Sequence, residues 1–323
     1  MPIRRNPAVP DNIFELEPQN LMSNYARVYG DEIARRYEDL NIIYFPYFPI
    51  TLDLEFLHSI SLPPKFKKLG TRDGIEKSLF ARDGNTHYFD ANNFLLKAFP
   101  EPQLAGYFQN QVISGNWQIR EALRTLLPHY LSLTEGNITW RLTETINEGM
   151  HVDGFGGGKP TKPSNKGRLQ RIKLFVNIDS EPRKWRTSFT LPEMLKRYAN
   201  RLPPAVADDA DLLSYRIGGV GFLHEAPYHE IDIPPMGAVM GEASAIAHAV
   251  RYGRRMIACE FFCHSVDMLD PAKQPQNAVK GWLADAGIGI DPNDVGEGLI
   301  EAARAYGQET GVPDLPGLGP PAA

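Results

Sequence analysis

Residues 228–266 read "YHEIDIPPMGAVMGEASAIAHAVRYGRRMIACEFFCHSV". Four short apolar runs (HEIDI, AVMG, IAHAVR and MIACEFFC) are separated by a Pro-Pro-Met-Gly turn at 234–237, by small residues around Ala243, and by Gly253-Arg254-Arg255. Runs of this length, with Gly and Pro as punctuation, are strands joined by tight turns. Their spacing is too even for alternating strands and crossover helices, which points to an antiparallel closed unit rather than a βαβ fold.

The same grammar extends upstream to Ile138, through "ITWRLTE" (138–144), "GMHVDGF" (149–155), "RIKLFVNID" (171–179) and "SYRIGGVGFLH" (214–224). A helix is expected to interrupt it at "SFTLPEMLKRYANRL" (188–202), with Thr190 as N-cap and Pro192 in the first turn. About eight strands in one closed unit predict a jelly-roll barrel. The fold class is α+β with a mainly β, cupin-like core.

Outside the barrel the pattern is helical. "MSNYARVYGDEIARRYEDLN" (22–41) carries Tyr25, Val28, Ile33 and Tyr37 at helical spacing, and 102–130 has Leu104, Tyr107, Val112, Ile119, Leu123 and Leu126 for one long helix or two shorter ones. Between them, "IIYFPYFPI" (42–50) reads as an edge strand or extended loop because of Pro46 and Pro49, and Asp73-Gly74 and Asp83-Gly84-Asn85 mark hairpins. The tail offers helices at 277–287 and 291–309 before a Pro/Gly end expected to be disordered. One catalytic domain therefore spans 1–323: an irregular arm (1–20), a helical and hairpin part (21–135), the core (136–268) and a C-terminal helical extension (269–323).

Of 323 residues 42% are hydrophobic and 23% charged, and the net charge is −5 with a pI near 5.9, so no general basic surface recommends nucleic acid. The two cysteines, Cys259 and Cys263, have neither disulfide-framework nor zinc spacing. The N-terminus has no apolar signal region, and no apolar run approaches the roughly 18 residues of a membrane span. A cytoplasmic protein without integral membrane association is expected, acting on a small-molecule substrate. The C-terminal helices are expected to cover a barrel edge or to make a homodimer contact.

The chemistry starts at His151-Val152-Asp153. Residues i and i+2 of a strand share a face, so both polar side chains can reach one ion while Val152 packs behind. His248, on a later strand of the same barrel, is the expected third ligand. Two histidines and a carboxylate with positions left open are what non-haem iron(II) oxygenases use. The glycines after Asp153 suit close passage of backbone past a metal and substrate, and predict a lid over 154–168. Lys173 stands alone in an apolar strand and calls for an anionic partner, or else a place at a strand edge.

Several segments occur together in a known order: "YFPYFPI", "KSLFARDG", "LRTLLPHYLS", "ITWRLTE", "MHVDGF", "GRLQRIKLFVNID", "PRKWR" and "AHAVRYG". From about residue 40 to 265 the chain resembles the Kdo hydroxylase family of iron(II)- and 2-oxoglutarate-dependent dioxygenases. The resemblance implies a double-stranded β-helix, Fe(II) held by His151, Asp153 and His248, and 2-oxoglutarate and O2 as co-substrates. The expected reaction hydroxylates an unactivated C–H bond of a small polar substrate while 2-oxoglutarate is decarboxylated to succinate. Many relatives place an arginine for the far carboxylate of 2-oxoglutarate about ten residues past the second histidine, where this chain has Ala258. Lys173 is the expected anchor, with Arg255 second and Asn177 as a hydrogen-bonding neighbour. Arg183 and Arg186 of the Arg-x-Trp-Arg motif, with Phe155, are expected to meet the substrate.

The chain departs from the family in the short "TINEG" before the HxD, in the glycine loop and in the tail, so the substrate stays open among a Kdo-like sugar, an amino acid and a natural-product intermediate. Asp153 favours hydroxylation over halide transfer and leaves desaturation and ring closure open. The rival class is a cupin-like metal protein or isomerase that does not use 2-oxoglutarate. A cation facing the metal is the feature that separates the two.

Overall fold

The computed structural model describes residues 2–60, 68–72, 79–83, 86–88, 99, 101–153, 169–219, 222–223, 225–294, 296–299, 301–302 and 305. Its centre is a sandwich of two antiparallel-dominated sheets. The strands are β1 (Ile3–Arg4), β2 (Ile13–Glu15), β3 (Ile42–Phe45), β4 (Lys68–Arg72), β5 (Leu79–Asp83), β6 (Thr86–Tyr88), β7 (Thr134–Arg141), β8 (Thr145–Ile146), β9 (Leu169–Asn177), β10 (Arg183–Thr190), β11 (Ala205–Val206), β12 (His229–Ile233), β13 (Ala238–Gly241), β14 (Ile246–Gly253), β15 (Met256–His264) and β16 (Gly289–Ile290). One sheet runs β1-β12-β10-β14-β8, and the other β2-β3-β13-β9-β15-β7-β4-β5-β6. The alternation of chain-neighbouring strands between the sheets is the double-stranded β-helix.

Strand β9 explains how one sheet can serve two surroundings. Ile172, Leu174 and Val176 are fully buried on the outer face, among side chains of the long helix α4 (Pro102–Leu126) such as Phe108, Val112 and Ile119. The intervening Arg171, Lys173, Phe175 and Asn177 face the other sheet. Strand β15 repeats this: Ile257, Cys259, Phe261 and Cys263 join the helix-covered core, and both cysteines are free and buried. The period of two thus puts the apolar half under α4 and leaves polar groups for the barrel interior.

Helices α1 (Met22–Tyr29) and α2 (Glu32–Glu38) break at Gly30, whose φ of 50° ends the first helix. Helices α3 (Leu54–Ser59) and α4 complete that layer, and α4 is one continuous helix. Helix α5 (Leu191–Arg197) begins directly at the end of β10, with a capping box in which the Thr190 N–H donates to Glu193 at 2.7 Å. Among the described residues no helix is long and apolar enough to cross a membrane.

Four details differ from the sequence reading. The N-terminal arm is not irregular throughout: β1 joins β12 and β2 runs parallel to β3, so the arm adds a strand to each sheet. His229 holds it there, accepting from Asn6 N–H at 2.8 Å and donating to the Pro10 carbonyl at 3.1 Å. Strand β3 is flanked on both sides rather than being an edge, because Pro46 and Pro49 fall just beyond its end. The segment from 214 is not a strand: Ala210–Gly219 forms helix α6, opened by Asp209, which accepts from Leu212 N–H at 3.2 Å, and buries Leu213 and Ile217 on its inner side. The strand that fills that place in the barrel is β10. At the C-terminal side α7 (Pro275–Asp285) forms as expected, while the lid at 154–168 and the disordered end lie outside the described residues.

Candidate metal centre

His151 and His248 are backbone partners. They form an antiparallel bridge in which each N–H donates to the other's carbonyl, at 2.9 and 2.8 Å. Such a doubly bonded pair places two side chains on one face at a fixed separation, and the ring centroids lie 4.6 Å apart. Asp153 is held two residues on, with its N–H donating to Ala243 O at 2.8 Å and its carbonyl accepting from Arg171 Nη1 at 3.1 Å.

Candidate ligand atoms of His151, Asp153 and His248 all lie within 4.8 Å of one another. Asp153 Oδ1 is 3.6 Å from His151 Nε2 and 4.0 Å from His248 Nε2. Each Nδ1 faces a carbonyl, Gly149 O at 2.7 Å for His151 and Ile246 O at 3.0 Å for His248. A carbonyl only accepts, so each Nδ1 carries the hydrogen and each neutral ring offers an Nε2 lone pair to the common centre. This donor set fits a divalent transition ion.

The electrostatics keep these ligands ready. Burial, followed by the neighbouring His151, pushes the His248 pKa down to about 4. For His151 burial acts downward, but the Asp153 carboxylate and the Gly149 carbonyl outweigh it and raise the pKa. For Asp153 burial acts upward, and His151, Lys173, His248 and Arg171 together hold it well below the usual carboxylate range.

Lys173 does turn toward the triad. Its Nζ lies 3.3 Å from Asp153 Oδ2 and 3.3 Å from Glu260 Oε1. Arg171 joins the same cluster, with Nε donating to Glu260 at 2.5 Å and Nη2 at 3.8 Å from Asp153 Oδ2. Asp153 is therefore divided: one oxygen faces the histidines, the other two cations. The sequence reading missed Arg171 and Glu260. Arg171 could have been found from its shared face with Lys173, whereas Glu260 is brought opposite Lys173 only by the β9–β15 register.

The remaining expected residues are not brought to the triad. Asn177 is used by a turn: its amide donates to Glu181 O and Ile233 O, each at 2.9 Å, and its Oδ1 accepts from Asp179 N–H at 3.0 Å. Arg255 binds Asp179 at 3.4 Å and donates to His58 O at 3.1 Å. Arg186 is on the face of β10 opposite Trp185, over the Tyr228 ring at 4.1 Å and 3.7 Å from Glu230, lining a cavity of about 250 Å³ with Glu148 and Arg251. Phe155 lies outside the described residues. Trp185 packs inward, its ring centroid 5.5 Å from His248 and 6.2 Å from Phe175. Arg183 shares that inward face and is 2% exposed.

Comparison with solved structures places this architecture. The Kdo hydroxylase KdoO, a non-heme Fe(II) alphaketoglutarate dependent dioxygenase, superposes with a TM-score of 0.61 in its complex with succinate and Fe(III), at 17% identity over 84% of this chain and 96% of that one. Its complex with alphaketoglutarate and Fe(III) gives 0.59 at 18% identity over the same shares. The two chains share the jelly-roll fold. Sequence comparison with protein families and with curated proteins gives no match.

Proposed function

We propose that this chain is an iron(II)- and 2-oxoglutarate-dependent oxygenase that hydroxylates an unactivated C–H bond of a small polar substrate. The observation that carries the reading is the pair of histidines with Nδ1 bound to carbonyls and Nε2 turned to Asp153 Oδ1, at the centre of a double-stranded β-helix. The KdoO structures, which hold iron with 2-oxoglutarate or succinate on the same fold, support it.

His151, Asp153 and His248 would hold the ion, and bound iron(II) supplies the activation of dioxygen coupled to oxidative decarboxylation of the 2-oxo acid. The chain's own residues set the conditions. Carbonyls of Gly149 and Ile246 fix both histidine tautomers, and Lys173 and Arg171 fix which Asp153 oxygen faces the ion. Trp185 and Phe175 pack beside the His248 ring and cover that side of the site with apolar surface.

The test is anaerobic. Iron(II) followed by 2-oxoglutarate added to the purified protein is expected to give the weak visible charge-transfer band of a 2-oxo acid chelate. His151→Ala and Asp153→Ala are expected to lose both the band and substrate turnover with the folded state intact, because these ligands, about one-quarter exposed, are not part of the apolar core. Iron bound by the wild type with no band at any 2-oxoglutarate concentration would move the protein to the cupin-like class.

A further inference from the structure

The five-stranded sheet has an outer face that the metal centre does not use, and strand alternation fixes what stands on it. Trp185 points inward beside His248, so Arg186, the next residue of β10, points outward. The register sets Arg186 between Glu230 of β12 and Ala249 of β14. Ala249 is small where the other two are long, and it lines a cavity of about 250 Å³. On one side the rim is the segment leading to His151, tied to β14 by Asn147 N–H donating to Arg251 O at 3.0 Å and Glu148 N–H to Val250 O at 2.8 Å. On the other it is the turn before β12, in which Ala226 N–H donates to Leu223 O at 3.2 Å. Leu223, Ala226 and Met150 give the cavity an apolar wall.

The charge on this face is out of balance. Arg4, Arg186 and Arg251 converge on the single carboxylate of Glu230, Arg186 at 3.7 Å and Arg251 at 3.3 Å. At 3.7 Å Arg186 is beyond hydrogen-bond reach of Glu230, and its buried Nε has no hydrogen-bond partner among the described residues. The guanidinium is nonetheless held, 4.1 Å over the centre of the Tyr228 ring, which also lines the cavity. A fixed guanidinium with unused donors suits an oxyanion, because little ordering remains to be done when the anion arrives. The rim carboxylate, Glu148, is exposed, where water weakens its repulsion of an anion.

We propose that this cavity is a binding site for a small organic acid, its carboxylate or phosphate group held by Arg186 and Arg251 and its apolar part by Leu223, Ala226 and Met150. The site is separate from the metal centre, on the other side of the sheet, and linked to it. Gly149 lines the cavity, and its carbonyl accepts from His151 Nδ1 at 2.7 Å. A ligand that settles against this rim shifts that hydrogen bond and the His151 ring with it. The inference does not depend on the oxygenase reading, because neither the metal ion nor its chemistry enters it.

The experiment is a calorimetric titration of the metal-free protein with isocaproate, with isobutyl phosphate and with the neutral isocaproamide. At least one acid is expected to bind and the amide not to, the tighter acid identifying the group that the site takes. Arg186→Met should weaken that acid on the order of 10- to 100-fold, the loss of a charge-assisted contact. Arg186→Lys should recover only part, since it keeps the charge without the fork. Ala249→Leu keeps both arginines, fills the cavity and should abolish binding, so a folding defect in one variant leaves the other as the test. In heteronuclear NMR the His151 ring N–H resonance is expected to move when the acid saturates the wild type and to stay in place in Ala249→Leu. No binding of either acid, or equal affinity in wild type and Arg186→Met, would overturn the site. A bound acid that leaves the His151 resonance unmoved would overturn the link to the metal centre. Neither result alters the chelate band that tests the oxygenase reading, so the two fail separately.

Discussion

Glu242 offers a quantitative test of how the turn behind the metal centre is built. The residue follows β13, is 1% exposed, and accepts from Gln170 Nε2 at 2.5 Å and from Ser244 N–H at 3.2 Å and the Ser244 hydroxyl. The turn it organises presents Ala243 O to Asp153 N–H and Ala245 O to Leu191 N–H. Burial raises the Glu242 pKa to about 7, against opposing contributions from Arg171 and Ser244. The folded state therefore keeps a proton that the unfolded chain releases near its ordinary carboxyl pKa of 4.5. Stability linked to this proton is complete below that lower value and is lost as pH rises through about 7. The interval of about 2.5 units corresponds to ~3 kcal/mol at 1.36 kcal/mol per unit. Glu242→Gln cannot titrate, so its stability relative to wild type should rise by ~3 kcal/mol between about pH 4.5 and pH 8. Urea unfolding of both proteins across that range, followed by tryptophan fluorescence, measures the difference directly. A difference that does not change with pH would refute the claim that the carboxyl is protonated in the native turn.

Other consequences follow from packing and charge. Gly115→Ala would place a Cβ 2.8 Å from Trp140 Cζ2 and 3.1 Å from Leu52 Cδ2, and the resulting overpacking of α4 on the sheet should cost ~1–3 kcal/mol in denaturant unfolding. Unchanged stability would show that α4 can shift outward freely. Glu260→Gln leaves Arg171 and Lys173 with Asp153 as their anion. With Glu260 one-fifth exposed, the loss should fall below the ~3–5 kcal/mol of a fully buried pair. The added positive charge should also weaken metal binding, which a competitive iron(II) titration would detect; tighter binding would contradict the cluster's role. Asp179→Asn should destabilise the turn after β9, because Arg254 donates to both of its oxygens at 3.0 and 3.1 Å and Arg255 to one at 3.4 Å. Loss of iron binding in that variant, rather than of stability alone, would show that the turn reaches the metal centre.

The core was legible because strands announce themselves through a period of two and short turns. Strands β7, β9 and β12 to β15 fall where the alternation in the sequence puts them. The two errors in the barrel have separate causes. "SYRIGGVGFLH" is short and apolar at a length where strand and helix cannot be told apart, and Asp209 outside it supplies the cap that selects the helix. "RKWRTSFT" carries too many charges to look like a strand, yet Arg183 is buried in it.

The His-x-Asp spacing and the late histidine were readable because a metal demands specific atoms on one face of a strand, and that requirement is local for the first two ligands. Lys173 was legible for the same reason, as a charge misplaced in an apolar run. What each charge meets was not. Arg255 and Asn177 have the right chemistry for an anion, but Asp179 and a turn of the backbone take them. The sequence by itself determined six of the core strands, the inward face of β9 and the candidate ligands, since these depend on spacing along the chain. Only the tertiary structure decided that Glu260 neutralises Lys173 and that Asp179 takes Arg254 and Arg255, because pairing across strands depends on register, and Coulomb energies depend on distances that no local pattern encodes.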